Sequence, residues 1–211
     1  MTSRYCALLT LMIAMLLAPH GHARARIAPG PGMDPPVVVE RHVRHYVVEP
    51  DGTYRLTVDD ARTIAGRSAV RDGSRFVIRY SAALDEVVSV EAAAHKPDGR
   101  RVPVPPGGIR DDAGAEARTK TILFRDVAIG DQLVVHYVVR RHTPAFPAQF
   151  EDLAVMPFQV HRNTMVIYDM PASMPLHADT AGFVPVPGDS PPGRRRYQWH
   201  YQGSQTGGSN D

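Results

Sequence analysis

The sequence predicts an all-β domain, a two-sheet antiparallel β-sandwich of immunoglobulin-like general architecture, and three observations carry that prediction. Apolar and polar residues alternate with a period of two over much of the stretch from Val37 to Tyr201, the spacing that gives a strand one buried and one wetted face. Turn residues interrupt the alternation at intervals of 8 to 15 positions, as a succession of short strands requires. Helical signal is weak: Asp60 to Val70 holds good helix formers, but Thr63, Ile64 and Gly66 limit it to about one turn.

The first strand, Val37–Val48, turns through Glu49-Pro50-Asp51-Gly52 and returns as Tyr54–Asp59. Proline fixes φ early in that turn and glycine accepts a positive φ at its end. In the return strand Tyr54, Leu56 and Val58 are apolar and their neighbours polar, so one face is buried. Phe76–Tyr80 follows. Val87–His95 and Arg101–Val104 form a second hairpin around Lys96-Pro97-Asp98-Gly99-Arg100. Pro105 to Ala117 reads as a loop by composition, and Thr119–Phe124 as the next strand. Leu133 to Val139 is apolar on both faces apart from His136, which makes Leu133–Arg140 the candidate central strand. Val160–Met170 and Arg196–Tyr201 complete the set, the latter with Tyr197, Trp199 and Tyr201 on one face. The expected core contains Val43, Leu56, Val58, Ile78, Val90, Val135, Tyr137, Ile167 and Trp199.

Outside the domain, assigned to residues 37–202, the chain has three other parts. Residues 1–25 have the form of a secretory signal: Arg4, a 12-residue apolar run from Ala7 to Ala18, and small residues at Ala23 and Ala25. The run falls short of the ~20 residues of a spanning helix. An uncleaved N-terminal anchor is the rival reading, weakened by the Pro19-His20-Gly21 break. Cleavage after Ala25 leaves a periplasmic or secreted protein, and nothing later in the sequence resembles a spanning segment. Residues 26–36, with four prolines and two glycines, form a flexible leader, and residues 203–211 a polar, disordered tail.

Charge and cysteine usage exclude several classes of function. Lys and Arg number 24 against 22 Asp and Glu, and the basic residues form no continuous stripe, so nucleic acid is not an expected partner. The one cysteine, Cys6, precedes the apolar run and leaves with the signal. That removes disulfides, a cysteine nucleophile and thiolate metal ligands together. No metal or cofactor is implied. His42 and His45, the one close histidine pair, are three apart on a strand and point to opposite faces. The acidic pairs Asp59-Asp60, Asp85-Glu86, Asp111-Asp112 and Glu151-Asp152 read as solvated turns, since sequence neighbours on a strand diverge. Arg194-Arg195-Arg196, after Pro191-Pro192-Gly193, reads as a solvated hairpin flank, with contact to an anionic surface as the lesser alternative. No G-x-S-x-G elbow, phosphate-cradling glycine loop or H-E-x-x-H string is present. His136 and His161 remain as candidate functional residues.

Three stretches carry a family resemblance: Val37 to Tyr54 with its Pro-Asp-Gly turn, Val88 to Arg100 ending in Pro-Asp-Gly-Arg, and Gly130 to Tyr137. Their order, continued by Phe150 to Pro171 and Tyr197-Gln198-Trp199, resembles the domain of unknown function that precedes the transglutaminase-like core in exported bacterial proteins. The resemblance spans Val37 to Tyr201 and implies an all-β, two-sheet domain beside a papain-like Cys-His-Asp core. No such core follows Tyr201, so none of its enzymology transfers to a residue here, and the chain reads as a stand-alone or shortened version. The expected function is a non-catalytic binding or accessory module, offering a sheet face or edge to another exported protein or to the cell envelope. The alternative is a small hydrolase whose His and carboxylate residues are assembled only by the fold.

Overall fold

The computed structural model describes residues 36–203 except 115–116, 155 and 157–158. The expected signal peptide with its Ala25 junction, leader residues 26–35 and tail residues 204–211 lie outside the described residues. The described chain comprises β1 Val37–Val48, β2 Tyr54–Ile64, the short helix α1 Arg67–Asp72, β3 Arg75–Tyr80, β4 Asp85–His95, β5 Arg101–Pro103, a 3-10 turn at Pro106–Gly108, β6 Ile109–Ala113, β7 Arg118–Leu123, β8 Gln132–Arg141, β9 Val160–His161, β10 Thr164–Pro171, β11 Phe183–Pro185 and β12 Arg194–Tyr201.

The strands form a large sheet in the order β11-β12-β10-β1-β2-β8-β4-β5, with β9 also on β1, and a small antiparallel sheet β3-β7-β6. Both expected Pro-Asp-Gly hairpins form, and Gly52 and Gly99 take the positive φ their turns need, +88° and +85°. β8 lies between β2 and β4, inside the sheet as its two-sided apolar character requires. The antiparallel expectation fails at one place: β9 and β10 run parallel to β1. β8 already points the same way as β1, because each is antiparallel to β2. The chain therefore leaves β8 at Arg141, crosses the sheet and enters beside β1 at Val160 in the same direction. A parallel return needs a crossover of a dozen or more residues, and the 142–159 segment supplies it.

Other differences are local. The expected Val160–Met170 strand is split at Arg162 and Asn163, next to a bulge in β1 between Val39 and Arg41. There Arg162 N–H donates to Val39 O and His42 N–H to Asn163 O. β2 continues five residues past Asp59, and the Pro105–Ala117 loop contains the strand β6, which pairs with β7 from Ile109 to Ala113. β11, absent from the sequence expectation, pairs with the end of β12.

Two apolar clusters form on one face of the large sheet. The first is the sandwich core, where Phe76, Ile78 and Ile122 of the small sheet meet Ile64, Ala92, Ala94, Leu133 and Val135 of the large one. The second gathers Tyr46, Val48, Val166, Tyr168 and Met170, with Tyr54, Leu56, Phe150, Tyr197 and Trp199 half-buried against them. Val58, Ile78 and Val135 are fully buried as expected. Val43 is buried as expected but belongs to neither cluster, and Ile167 is only half-buried and outside both. Strand alternation sets Val43 opposite in phase to Tyr46, and Ile167 to Val166 and Tyr168, so both point to the reverse face.

Candidate functional site

A cleft of about 520 Å³ opens on the sheet face between the two clusters. Its floor follows from strand register. His42 pairs with Asp60, Arg44 with Val58, Tyr46 with Leu56 and Val48 with Tyr54 across β1 and β2, and Tyr137, Val139 and Arg141 continue the last three rows on β8. One wall is β3 from Phe76 to Tyr80, and the other includes Asp152, Met156 and Gln159 of the crossover.

Each carboxylate in the cleft is held by cations or hydroxyls. Asp60 accepts from His42 Nδ1 at 2.7 Å and, in a two-pronged pair, from Arg62 Nε at 2.6 Å and its terminal nitrogen at 3.0 Å. Burial alone would raise its carboxyl, but His42 and Arg62 outweigh burial and hold it below the ordinary value. Asp85 accepts from Arg141 at 2.6 and 3.1 Å, and that guanidinium lies 5.1 Å from the Tyr54 ring centroid. Asp152 accepts from Arg44 at 2.7 Å, Tyr46 at 2.9 Å and Tyr168 at 2.7 Å. Arg44 also donates to the Tyr46 hydroxyl. Burial, followed by the Asp152 charge, pushes the Tyr168 hydroxyl far up, and burial pushes Tyr137 up to about 12. Both phenols stay protonated, and Tyr168 donates to Asp152. The His42–Asp60 pair orients an imidazole as an acid–base dyad does. Among the described residues no serine, threonine or cysteine is bonded to that ring.

The residues singled out in the sequence scatter. His136 lies on the reverse face, its Nδ1 2.7 Å from Asp59 Oδ1, with two-fifths of its side chain exposed. His161 borders the cleft, where its Nδ1 is 2.9 Å from Thr164 Oγ1 and its ring meets Tyr201. His42 and His45 separate to opposite faces as expected. His45 lies on the reverse face, held below the usual imidazole value by burial and then by Arg196. The solvated-turn reading of the acidic pairs is corrected at three of them. Asp60 is buried within β2, Asp85 is buried at the start of β4, and Asp152 is nearly covered in the crossover. The arginine cluster is corrected too. Arg194 and Arg196 are half-buried, clamp the buried Asp169 and so tie β12 to β10; Arg194 also donates to Val48 O at 2.8 Å.

Arg44, Arg62 and Arg141 were not singled out from sequence, and His42, Asp60 and Asp152 were considered there only to be set aside, although one signal lay within reach. The Gly52 turn sets pairs whose numbers total 102, and His42 and Asp60 are such a pair. The Arg44–Asp152 and Asp85–Arg141 contacts depend on distant segments and left no local mark.

Residues 50–205 match the profile of DUF3857, described as a domain of unknown function with a solved structure. No curated protein matches the chain. Among solved structures, a "putative protease" from Parabacteroides distasonis aligns with a TM-score of 0.62 at 14% identity, over 78% of this chain and 35% of that one. An M1 zinc metallopeptidase from Deinococcus radiodurans aligns with a TM-score of 0.44 at 14% identity, over 79% of this chain and 39% of its own. The chain thus spans little more than a third of the length of these proteins. At 14% identity the Parabacteroides likeness is one of fold alone.

Proposed function

The chain belongs to the DUF3857 family, and from that premise we propose that it is a non-catalytic binding domain of a periplasmic or secreted protein, accessory to a transglutaminase-like core and using the cleft as its binding surface. The observation that carries this reading is the commitment of the cleft's carboxylates. Asp60, Asp85 and Asp152 are each bound to a guanidinium at 2.6–2.7 Å, and Asp60 is held ionised below the ordinary range. A general acid or base needs a carboxyl tuned toward neutral pH and free to exchange its proton with substrate; Asp60 is tuned the other way, and Asp85 and Asp152 are committed to their guanidinium partners. Such a surface recognises a ligand through fixed charges, phenol donors and aromatic rings. The second reading, a hydrolase, is favoured by one contact, the 2.7 Å His42–Asp60 pair.

The two readings separate in one preparation. The purified protein should turn over none of a panel of fluorogenic peptides, esters and glycosides. A photo-crosslinking side chain at Tyr80, beside the cleft, should capture a polypeptide from an exported-protein extract, while one at Thr57 on the reverse face should not. Turnover that disappears in His42→Ala would establish the hydrolase instead. Equal capture from both faces would remove the cleft from the proposal.

A further inference from the structure

β3 pairs with β7 through six consecutive positions without a register shift, and among the described residues no strand pairs with its other side. Phe76 through Tyr80 all border the cleft. Successive residues of a strand point to opposite faces, so five in a row along one cavity means that the strand presents its edge there. Such an edge carries outward N–H and C=O groups ready to accept another strand. Edges of the large sheet are protected at β5, β11 and β4. β5 and β11 are three residues long and each ends in proline, and β4 is kinked between Val87 and Ser89 and carries Glu86 and Glu91. β3 has neither proline nor bulge, and its sequence, Arg-Phe-Val-Ile-Arg-Tyr, favours a strand.

We propose that this edge takes an extended, acidic segment of a partner polypeptide as a fourth strand of the small sheet, lying in the cleft. Phe76 and Ile78 are buried in the sandwich core, so Arg75, Val77 and Arg79 share the opposite, outer face of β3. Arg75 and Arg79 are exposed, and neither has a carboxylate partner among the described residues. On an added strand, side chains opposite these two would sit on the same face four residues apart, so acidic residues there complete two ion pairs. The side chains opposite Phe76 and Ile78 turn toward the cleft floor around Tyr54. The same arginines oppose pairing with a second copy of β3, which would set like charges against each other. The backbone supplies adhesion, and alternate side chains supply selectivity.

This inference rests on the cleft being a binding surface, and the probes separate the two ideas. An acetylated, amidated octapeptide alternating glutamate and valine should bind, measured by fluorescence anisotropy, and should slow hydrogen exchange at β3 amides. Affinity should fall at least tenfold for the lysine–valine peptide and for the double variant Arg75→Glu, Arg79→Glu. It should fall as far for one of the two forms N-methylated at alternate residues, since each form blocks one hydrogen-bonding edge of the peptide. Absence of binding at millimolar peptide overturns the proposal, as does equal binding of the lysine peptide or of both N-methylated forms. Concentration-dependent self-association that protects β3 would make the occupant a second copy and overturn it as well. Binding that protects amides elsewhere in the cleft overturns the β3 edge and leaves the binding-domain reading standing.

Discussion

The two apolar clusters share one sheet face but are covered in opposite ways. Over the first lies a second sheet, and the contact is mostly aliphatic: Ile64, Ile78, Ile122, Leu133 and Val135 interdigitate, with Phe76 and Phe124 as the buried aromatics. Over the second lies irregular chain, and the contact is aromatic and polar. Phe150 of the crossover packs edge-on against Tyr46, Tyr54 and Tyr168 at centroid distances of 5.3–5.7 Å, while Asp152, two residues on, is bound by Arg44, Tyr46 and Tyr168. A regular layer can be held by area alone, because every second residue contributes. An irregular cover has no periodic face, and large rings with directed hydrogen bonds replace it. The cleft runs along the seam between these two solutions.

The largest expected effect tests the aliphatic side. Val135→Asp should abolish folding, because an unpaired buried carboxylate costs several kcal/mol against a total of about 5–15; the far-ultraviolet circular dichroism of the variant would lose its strand signal. Asp169→Ala comes next. It strands Arg194 and Arg196 beside β10, and breaking a largely buried ion cluster costs about 3–5 kcal/mol, read as a lowered urea midpoint. Phe150→Ala should cost about 2–3 kcal/mol, less than a fully buried ring because Phe150 is half-covered. Hydrogen exchange in that variant should accelerate in 142–159 and in β10 but not in β7 or β8. Uniform acceleration would mean that the clusters behave as one cooperative unit.

Acid should reveal the same asymmetry more gently. Asp60 and Asp169 are each raised by burial but lowered further, by His42 and Arg62 and by Arg194 and Arg196 respectively. Their folded values lie below the unfolded one, so their contribution is complete above the unfolded value and is lost as pH falls through the folded value. His45, depressed first by burial and then by Arg196, adds a milder loss once pH drops below the ordinary imidazole value of about 6.5. The melting temperature should therefore decline slightly from pH 7 to 5 and steeply below 4, and exchange at pH 3.5 should rise first around β10 and β12. The smallest effect is Arg79→Glu. The side chain is exposed and has no ion-pair partner among the described residues, so stability should move by no more than about 0.5 kcal/mol, and a larger loss in thermal melts would give it a structural role.

The same division decides what could be foreseen. β1, β2, β4 and β8 were legible because alternation and Pro-Asp-Gly turns are local signals, and β1 was placed residue for residue. β6 was hidden because Ile109-Arg110-Asp111-Asp112 has the composition of a loop and becomes a strand only beside β7. The Asp152 site was hidden more deeply: its partners lie 16 to 108 positions away and meet through a parallel crossover that no local pattern announces.

By itself the sequence determined that the domain is all-β, where its two hairpins turn, and which strand is central, since backbone preferences and period-two burial act over a few neighbouring residues. It also set His42 against Asp60, through the register that the Gly52 turn imposes. Only the tertiary structure decided that β10 returns parallel to β1, that acidic pairs resembling solvated turns become buried anchors, and that the β3 edge faces a cleft. Those outcomes depend on which distant strands become neighbours. Burial free energy scales with area and carries no address, so that choice belongs to the assembled sheet rather than to any segment of it.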